Sequence, residues 1–136
     1  MRADRILEIV LYAVDLDAAR RFYADVLGLE PFLTVDGRHL FYRCGGQVLL
    51  MFNPEATREA PRDPALPVPP HGAAGEGHIC FAAIAGEIED WVRHLAKMDV
   101  DIEADFCWPQ GGRSIYFRDP AGNCLEVSEP RIWGLE

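Results

Sequence analysis

RILEIVLYAVDLDAARRFYADVLGL, residues 5–29, holds both periods of regular secondary structure in one stretch. Residues 5–13 are almost continuously apolar and read as a strand, in which Leu7, Ile9 and Leu11 take one face and Ile6, Glu8 and Val10 the other. Asp15 is a helix N-cap, and Leu16, Ala19, Phe22, Tyr23, Val26 and Leu27 then recur at helical spacing until Gly28 stops the helix. Glu8 is the anomaly. A lone carboxylate sits where both strand faces look buried, and such a group is costly unless it is paired or binds a cation.

Working outward, LEPFLTV, RHLFYRC and QVLLMF follow as three short strand-like runs separated by Asp-Gly and Gly-Gly turns. The order is strand, helix, three strands. The second half repeats it. GHICFAAI is a strand, residues 87–98 form an amphipathic helix with Ile88, Trp91, Val92 and Leu95 inward, and DIEADFCW, RSIYFRD and NCLEVSE supply three more strands. Pro-Ala-Gly-Asn makes the last hairpin turn. The expected fold is therefore α+β, two βαβββ modules over residues 1–53 and 77–136. Residues 54–76 form a proline-rich linker or lid.

Composition narrows the function classes. With 49% hydrophobic and 26% charged residues, the chain has the makings of a packed core rather than of disorder. A net charge of −9 argues against nucleic acid or an anionic membrane as partner. No run reaches membrane-spanning length and no leader pattern opens the chain, which gives the expectation of a cytoplasmic protein. Cys44, Cys80, Cys107 and Cys124 lack CxxC or zinc-finger spacing and are expected as buried free thiols. His39, His71 and His94 read as surface or loop histidines.

Overlaying the two copies brings the polar exceptions into register. Glu8 and His78 occupy the first strands, 70 residues apart, and Glu126 in the last strand falls opposite Leu49. Glu126 is flanked by apolar Leu125 and Val127. Glu8, His78 and Glu126 thus form a candidate carboxylate–imidazole site for a divalent transition metal. For His78 the ordinary alternative is a core imidazole bonded to backbone carbonyls, and for Glu126 a solvent-facing strand residue. Ser114, Tyr116 and Arg118 share a strand face, and Trp108 in CWPQGG is a candidate for a pocket mouth or for packing on the sheet.

IVLYAVDLDAARRFYADVLGL, GHICF and RSIYFRDPAGNCLEV resemble the vicinal oxygen chelate superfamily, and the resemblance spans nearly the whole chain. That group includes glyoxalase I, methylmalonyl-CoA epimerase, extradiol dioxygenases, and fosfomycin and bleomycin resistance proteins. The resemblance implies paired βαβββ modules whose curved mixed sheet encloses a metal, in a homodimer whose sites take ligands from both chains. It puts Glu8 at the first-strand ligand position, which is usually histidine, His78 at the second histidine position and Glu126 at the terminal glutamate position. Leu49 falls where glyoxalase I has a fourth protein ligand, a departure that leaves three ligands. The RSIYF run resembles the fosfomycin-resistance branch, which marks Arg113, Ser114 and Tyr116 as substrate-binding candidates.

The expected function is a metal-dependent enzyme acting on a small substrate through two vicinal oxygens. Manganese, iron, nickel and zinc all suit two carboxylates and an imidazole. Glu8 or Glu126 would serve as general base. Lyase, isomerase, thiol or water addition and ring cleavage stay open. The competing class is a non-catalytic protein resembling bleomycin-resistance proteins that sequesters a cationic small molecule, which the acidic charge suits.

Overall fold

The computed structural model describes residues 2–61, 63–73, 75–84 and 86–135. The chain divides into two units, Met1–Gly75 and Glu76–Glu136. Each is a four-stranded mixed sheet with a helix packed on one face, as the repeated strand-helix-three-strand pattern requires.

In the first unit β1 (Glu8–Tyr12), β2 (Pro31–Val35), β3 (His39–Cys44) and β4 (Gln47–Phe52) lie in the order β1-β4-β3-β2, with β1 parallel to β4 and the other pairs antiparallel. Helix α1 (Leu16–Asp25) begins where Asp15 accepts from the Ala18 amide at 2.9 Å. It ends where Gly28 takes φ +64°, a left-handed turn that suits glycine, and donates to the Ala24 carbonyl. Leu16, Ala19 and Tyr23 face Leu11, Leu40, Tyr42, Leu49 and Met51, all buried. The rings of Tyr23 and Tyr42 stack at 5.5 Å.

The second unit repeats this with β5 (His78–Ala82), α3 (Ile88–Lys97), β6 (Ala104–Cys107), β7 (Arg113–Arg118) and β8 (Cys124–Ser128), ordered β5-β8-β7-β6. Ile79, Ile115, Phe117, Leu125 and Val127 form the core beneath Ile88 and Leu95 of the helix. Because side chains alternate, the opposite face carries His78, Cys80, Ser114, Tyr116, Cys124, Glu126 and Ser128. One strand period thus separates a face whose centre is apolar from one rich in polar groups.

Two short helices lie outside the repeat. Helix α2 (Pro54–Arg58) opens the proline-rich segment, with Asn53 as N-cap and Pro54 at the first helical position. Further along that segment His71 docks on the first unit. Its Nδ1 lies 2.8 Å from the Tyr12 hydroxyl and its ring sits edge-on to Phe52 at 4.9 Å. Positions 62 and 74 of the segment lie outside the described residues. A 3-10 turn, Pro130–Trp133, follows β8 and covers Gly112. Among the described residues no helix is long and apolar enough to cross a membrane.

Four sequence expectations change. Glu8 is exposed at the start of β1, because Ile6 and Leu7 before it are themselves exposed rather than packed. His39 is buried, not a surface residue, because its ring lies on Phe41 at 4.0 Å and edge-on to Phe52. The four cysteines are free but none is fully buried: Cys80 and Cys124 stand on the polar sheet face and Cys107 on an edge strand. Register supplies the fourth correction. Glu8 pairs with Val48 and His78 with Cys124, so the counterpart of Glu126 is Leu50 and not Leu49.

Candidate metal centre

The polar face of the second sheet is built from its first strand inward. His78 opens β5, and the residue before it is pinned. The Gly77 amide donates to Asn123 Oδ1 at 2.8 Å, and the Cys124 amide donates to the Gly77 carbonyl at 2.8 Å. Asn123 is itself fixed. Asp119 Oδ1 accepts the Ala121 and Asn123 amides, and Asn123 Nδ2 donates to Asp119 Oδ2 at 2.9 Å. The Asp-Pro-Ala-Gly-Asn turn therefore carries hydrogen bonds that end at the histidine.

His78 Nδ1 lies 2.9 Å from the Cys124 carbonyl oxygen. A carbonyl only accepts, so Nδ1 bears the proton. In the neutral imidazole, Nε2 then presents a lone pair, and it lies 3.4 Å from Glu126 Oε2. A lone pair facing a carboxylate oxygen is repulsive until a proton or a cation comes between them. The other oxygen of the same carboxylate is also unpaid: Glu126 is only 5% exposed, and its Oε1 is buried with no hydrogen-bond partner. Leaving such an atom unsatisfied costs on the order of 1–3 kcal/mol, more for a charged group. The donor set therefore fits a divalent cation. One imidazole is held in the ligating tautomer by a backbone carbonyl, and one carboxylate lacks its full complement of partners.

The carboxylate dominates its surroundings. Cys80 and Tyr116 both neighbour it, opposite Glu126 on β5 and β7. Burial, reinforced by the Glu126 charge, pushes the Tyr116 phenol up to about 12. The Cys80 thiol is likewise pushed up to about 12, by the atoms crowding its sulfur and then by Glu126, although part of the residue is open to solvent. Both groups keep their protons at neutral pH.

The remaining predicted site residues divide by face. Ser114 and Tyr116 stand with His78 and Glu126, and Trp108 reaches the same group by donating from Nε1 to Ser114 Oγ at 2.8 Å. Ser114 Oγ lies 2.8 Å from Ser128 Oγ, which reaches the Arg113 carbonyl at 3.3 Å. Arg113 does not join them. Odd-numbered along β7, it shares the helix face, where Asp105 (2.6 Å) and Glu89 engage its guanidinium. Glu8 belongs to the first unit, exposed at the start of β1. Among the described residues, no group of three or more His, Cys, Asp and Glu side chains is gathered so as to hold a metal. Two residues the sequence did not single out join the face, Cys80 and Phe106. Their signal was present, since Cys80 lies two residues after His78 on β5 and Phe106 two residues before Trp108, which follows β6.

Comparison with known proteins gives a consistent family. A 43%-identical chain of known structure, a lactoylglutathione lyase from Agrobacterium tumefaciens, superposes with a TM-score of 0.93 over 99% of this chain and 100% of its own. The virulence protein STM3117 of Salmonella typhimurium is 28% identical over 95% of this chain and 86% of its own length. The fosfomycin resistance protein FosX of Listeria monocytogenes, at 19% identity, shares the fold with a TM-score of 0.67 over 94% of each chain. The family model for the Glyoxalase/Bleomycin resistance protein/Dioxygenase superfamily matches residues 5–127, and with the two mixed sheets already described this chain belongs to that superfamily.

Proposed function

We propose that the protein is a divalent-metal-dependent enzyme acting on a small substrate through two vicinal oxygens. One observation carries the reading: the Nδ1-anchored imidazole of His78 aims its Nε2 at Glu126, whose other oxygen is buried and unpaired. The lactoylglutathione lyase likeness at 43% identity supports an enzyme rather than a sequestering protein. Leu50 at the position of the first repeat equivalent to Glu126 supports three protein ligands rather than four.

In this reading His78 and Glu126 would hold the ion, and Glu8 of a second copy of the chain would be the third ligand. The ion, when bound, would supply Lewis-acid polarisation of two adjacent substrate oxygens. The chain does the rest. Cys124 fixes the imidazole's tautomer through its carbonyl. Tyr116, protonated at neutral pH, donates a hydrogen bond into the site instead of adding negative charge beside Glu126. Glu8, exposed at the start of β1, would act as the general base that takes a proton from the substrate, whereas Glu126, buried, would serve only to hold the ion. Trp108 and Tyr116 bound the substrate, Ser114 holds Trp108 in place, and Arg113 braces α3 from the far side of the sheet.

Elemental analysis of protein purified without added metal tests this directly. The parent is expected to retain close to one divalent ion per chain and Glu126→Gln to lose it, with both folded. Equal content in the two proteins, or none in the parent, overturns the proposal.

A further inference from the structure

The face of the first sheet turned away from α1 ends in a row of four residues in register across its strands, Tyr12, Phe52, His39 and Val35. His39 is out of place there. Its ring lies flat on Phe41 at 4.0 Å and edge-on to Phe52 at 5.6 Å, and both ring nitrogens are buried without a hydrogen-bond partner. A phenylalanine would fill the same space and leave no polar atom unsatisfied. The proposed metal centre makes no use of this imidazole.

The end of the proline-rich segment rests on the same row. Four of the ten residues 63–72 are proline, which stiffens the stretch, and Leu66 and Val68 within it are exposed. The Ala65 and Leu66 amides donate to Asp63 and the Val68 amide to the Leu66 carbonyl, so these bonds stay inside the strap. His71 fastens it to the sheet, with Nδ1 at 2.8 Å from the Tyr12 hydroxyl and its ring edge-on to Phe52 at 4.9 Å. At the neck the His71 amide donates to the Thr57 carbonyl at 3.0 Å. Gly72 lies so near α2 that a Cβ there would come within 3.0 to 3.1 Å of Arg58 and the Pro54 carbonyl.

Two routes join His39 to this strap. Phe52 is packed edge-on by both imidazoles, His39 and His71. Arg38, the neighbour of His39 in the chain, holds α2: its guanidinium donates to the Ala56 carbonyl at 2.8 Å and its carbonyl accepts the Asn53 amide at 2.9 Å. Helix α2 in turn holds His71 through Thr57.

A proton added to His39 finds no acceptor. The ionisable groups on the elements around it are Glu8 and Tyr12 of β1, Asp36 and Arg38 of the turn before β3, Arg43 further along β3, Glu55 and Arg58 of α2, and His71. Strands β2 and β4 carry none. No carboxylate bonds to either ring nitrogen. Burial, and then the Arg38 charge, hold the His39 pKa below the ordinary imidazole range. Hydrated in a released state, the ring returns toward that range and binds the extra proton. The closed strap therefore has its full advantage above the ordinary imidazole range and loses it as pH falls through that range, by at most about tenfold per pH unit.

We propose that residues 63–72 are an acid-released strap, clamped on the first sheet while His39 is neutral and let go when His39 takes a proton. The inference does not rest on the metal centre. It gives the first unit a cover over the Tyr12 end of its open face that opens on acidification.

The test follows the full-length protein by nitrogen-15 NMR from about pH 7.5 to about pH 5. The heteronuclear NOEs of Leu66, Val68, His71 and Gly72 are expected to fall to about half or less, while those of β3 and β4 stay constant. The midpoint of that fall should coincide with the titration of the His39 ring resonances. His39→Phe is expected to keep the strap ordered at both ends of the range. The inference is overturned by strap NOEs that ignore pH, by a midpoint more than about half a pH unit from that of His39, or by a strap that still lets go in His39→Phe. A first sheet that unfolds together with the strap overturns it too. Should His39→Phe not fold, the two midpoints in the parent protein decide.

Discussion

At the residue scale, what the sequence makes legible is which face a side chain takes, and what it conceals is the register between strands. Strand alternation put Ser114, Tyr116 and Arg118 together, and the structure adds His78 and Glu126 to that face. The partner of Glu126 in the first repeat was misjudged by one residue because the hairpin loops of the two copies differ in length. A single-residue slip moves a side chain through the sheet. Leu49 is a core residue 2% exposed on the helix side, whereas Leu50 stands on the other face. The role of Ser114 also lay beyond the sequence, since a serine hydroxyl offers itself equally to ligand or protein. Its relay gives a prediction. Ser114→Ala leaves the Trp108 indole N–H and the Ser128 hydroxyl short of a partner and should cost about 1–3 kcal/mol in urea unfolding. An unchanged unfolding midpoint would show that the relay stabilises nothing.

At the element scale, caps and turns were the readable features. Asp15 and Gly28 bound α1 as their chemistry demands, and the final hairpin falls at Pro-Ala-Gly-Asn. Helix α2 was missed inside the proline-rich segment even though Asn53 and Pro54 form an ordinary helix start, because prolines further along favoured an extended path. The last turn does more than reverse the chain. Asn123 joins Asp119 to Gly77 and so fixes the strand end that bears His78. Asn123→Ala is expected to lower metal affinity by about 10–100-fold in a competition titration, through an outer group that touches no metal. Wild-type affinity in this variant would mean that His78 is positioned by β5 alone.

At the scale of the whole molecule, the repeated pattern reveals two like units, and the structure resolves each as a four-stranded mixed sheet with its helix. The two copies diverge in the polar residues of their sheets. The second unit's open sheet face has His78 and Glu126, while the equivalent positions of the first have Glu8 and Leu50. Assembly then carries a prediction of its own. If Glu8 is donated by a second chain, mixing equal amounts of Glu8→Ala and His78→Ala chains should restore about a quarter of the metal capacity of the parent after full subunit exchange, because half the dimers are mixed and each regains one of two sites, measured by metal content of the mixture. No recovery would show that Glu8 is not shared between copies.

The claim on which the rest stands is that His78 ligates through Nε2 while Nδ1 stays protonated toward Cys124. Nitrogen-15 NMR of the four imidazoles, recorded before and after one equivalent of zinc(II), tests it most directly. The account predicts that one histidine, absent from the spectrum of His78→Gln, moves its Nε2 resonance to a metal-bound position with its Nδ1 still protonated. An Nε2 of His78 that does not respond to zinc, or a response that persists in His78→Gln, would contradict it.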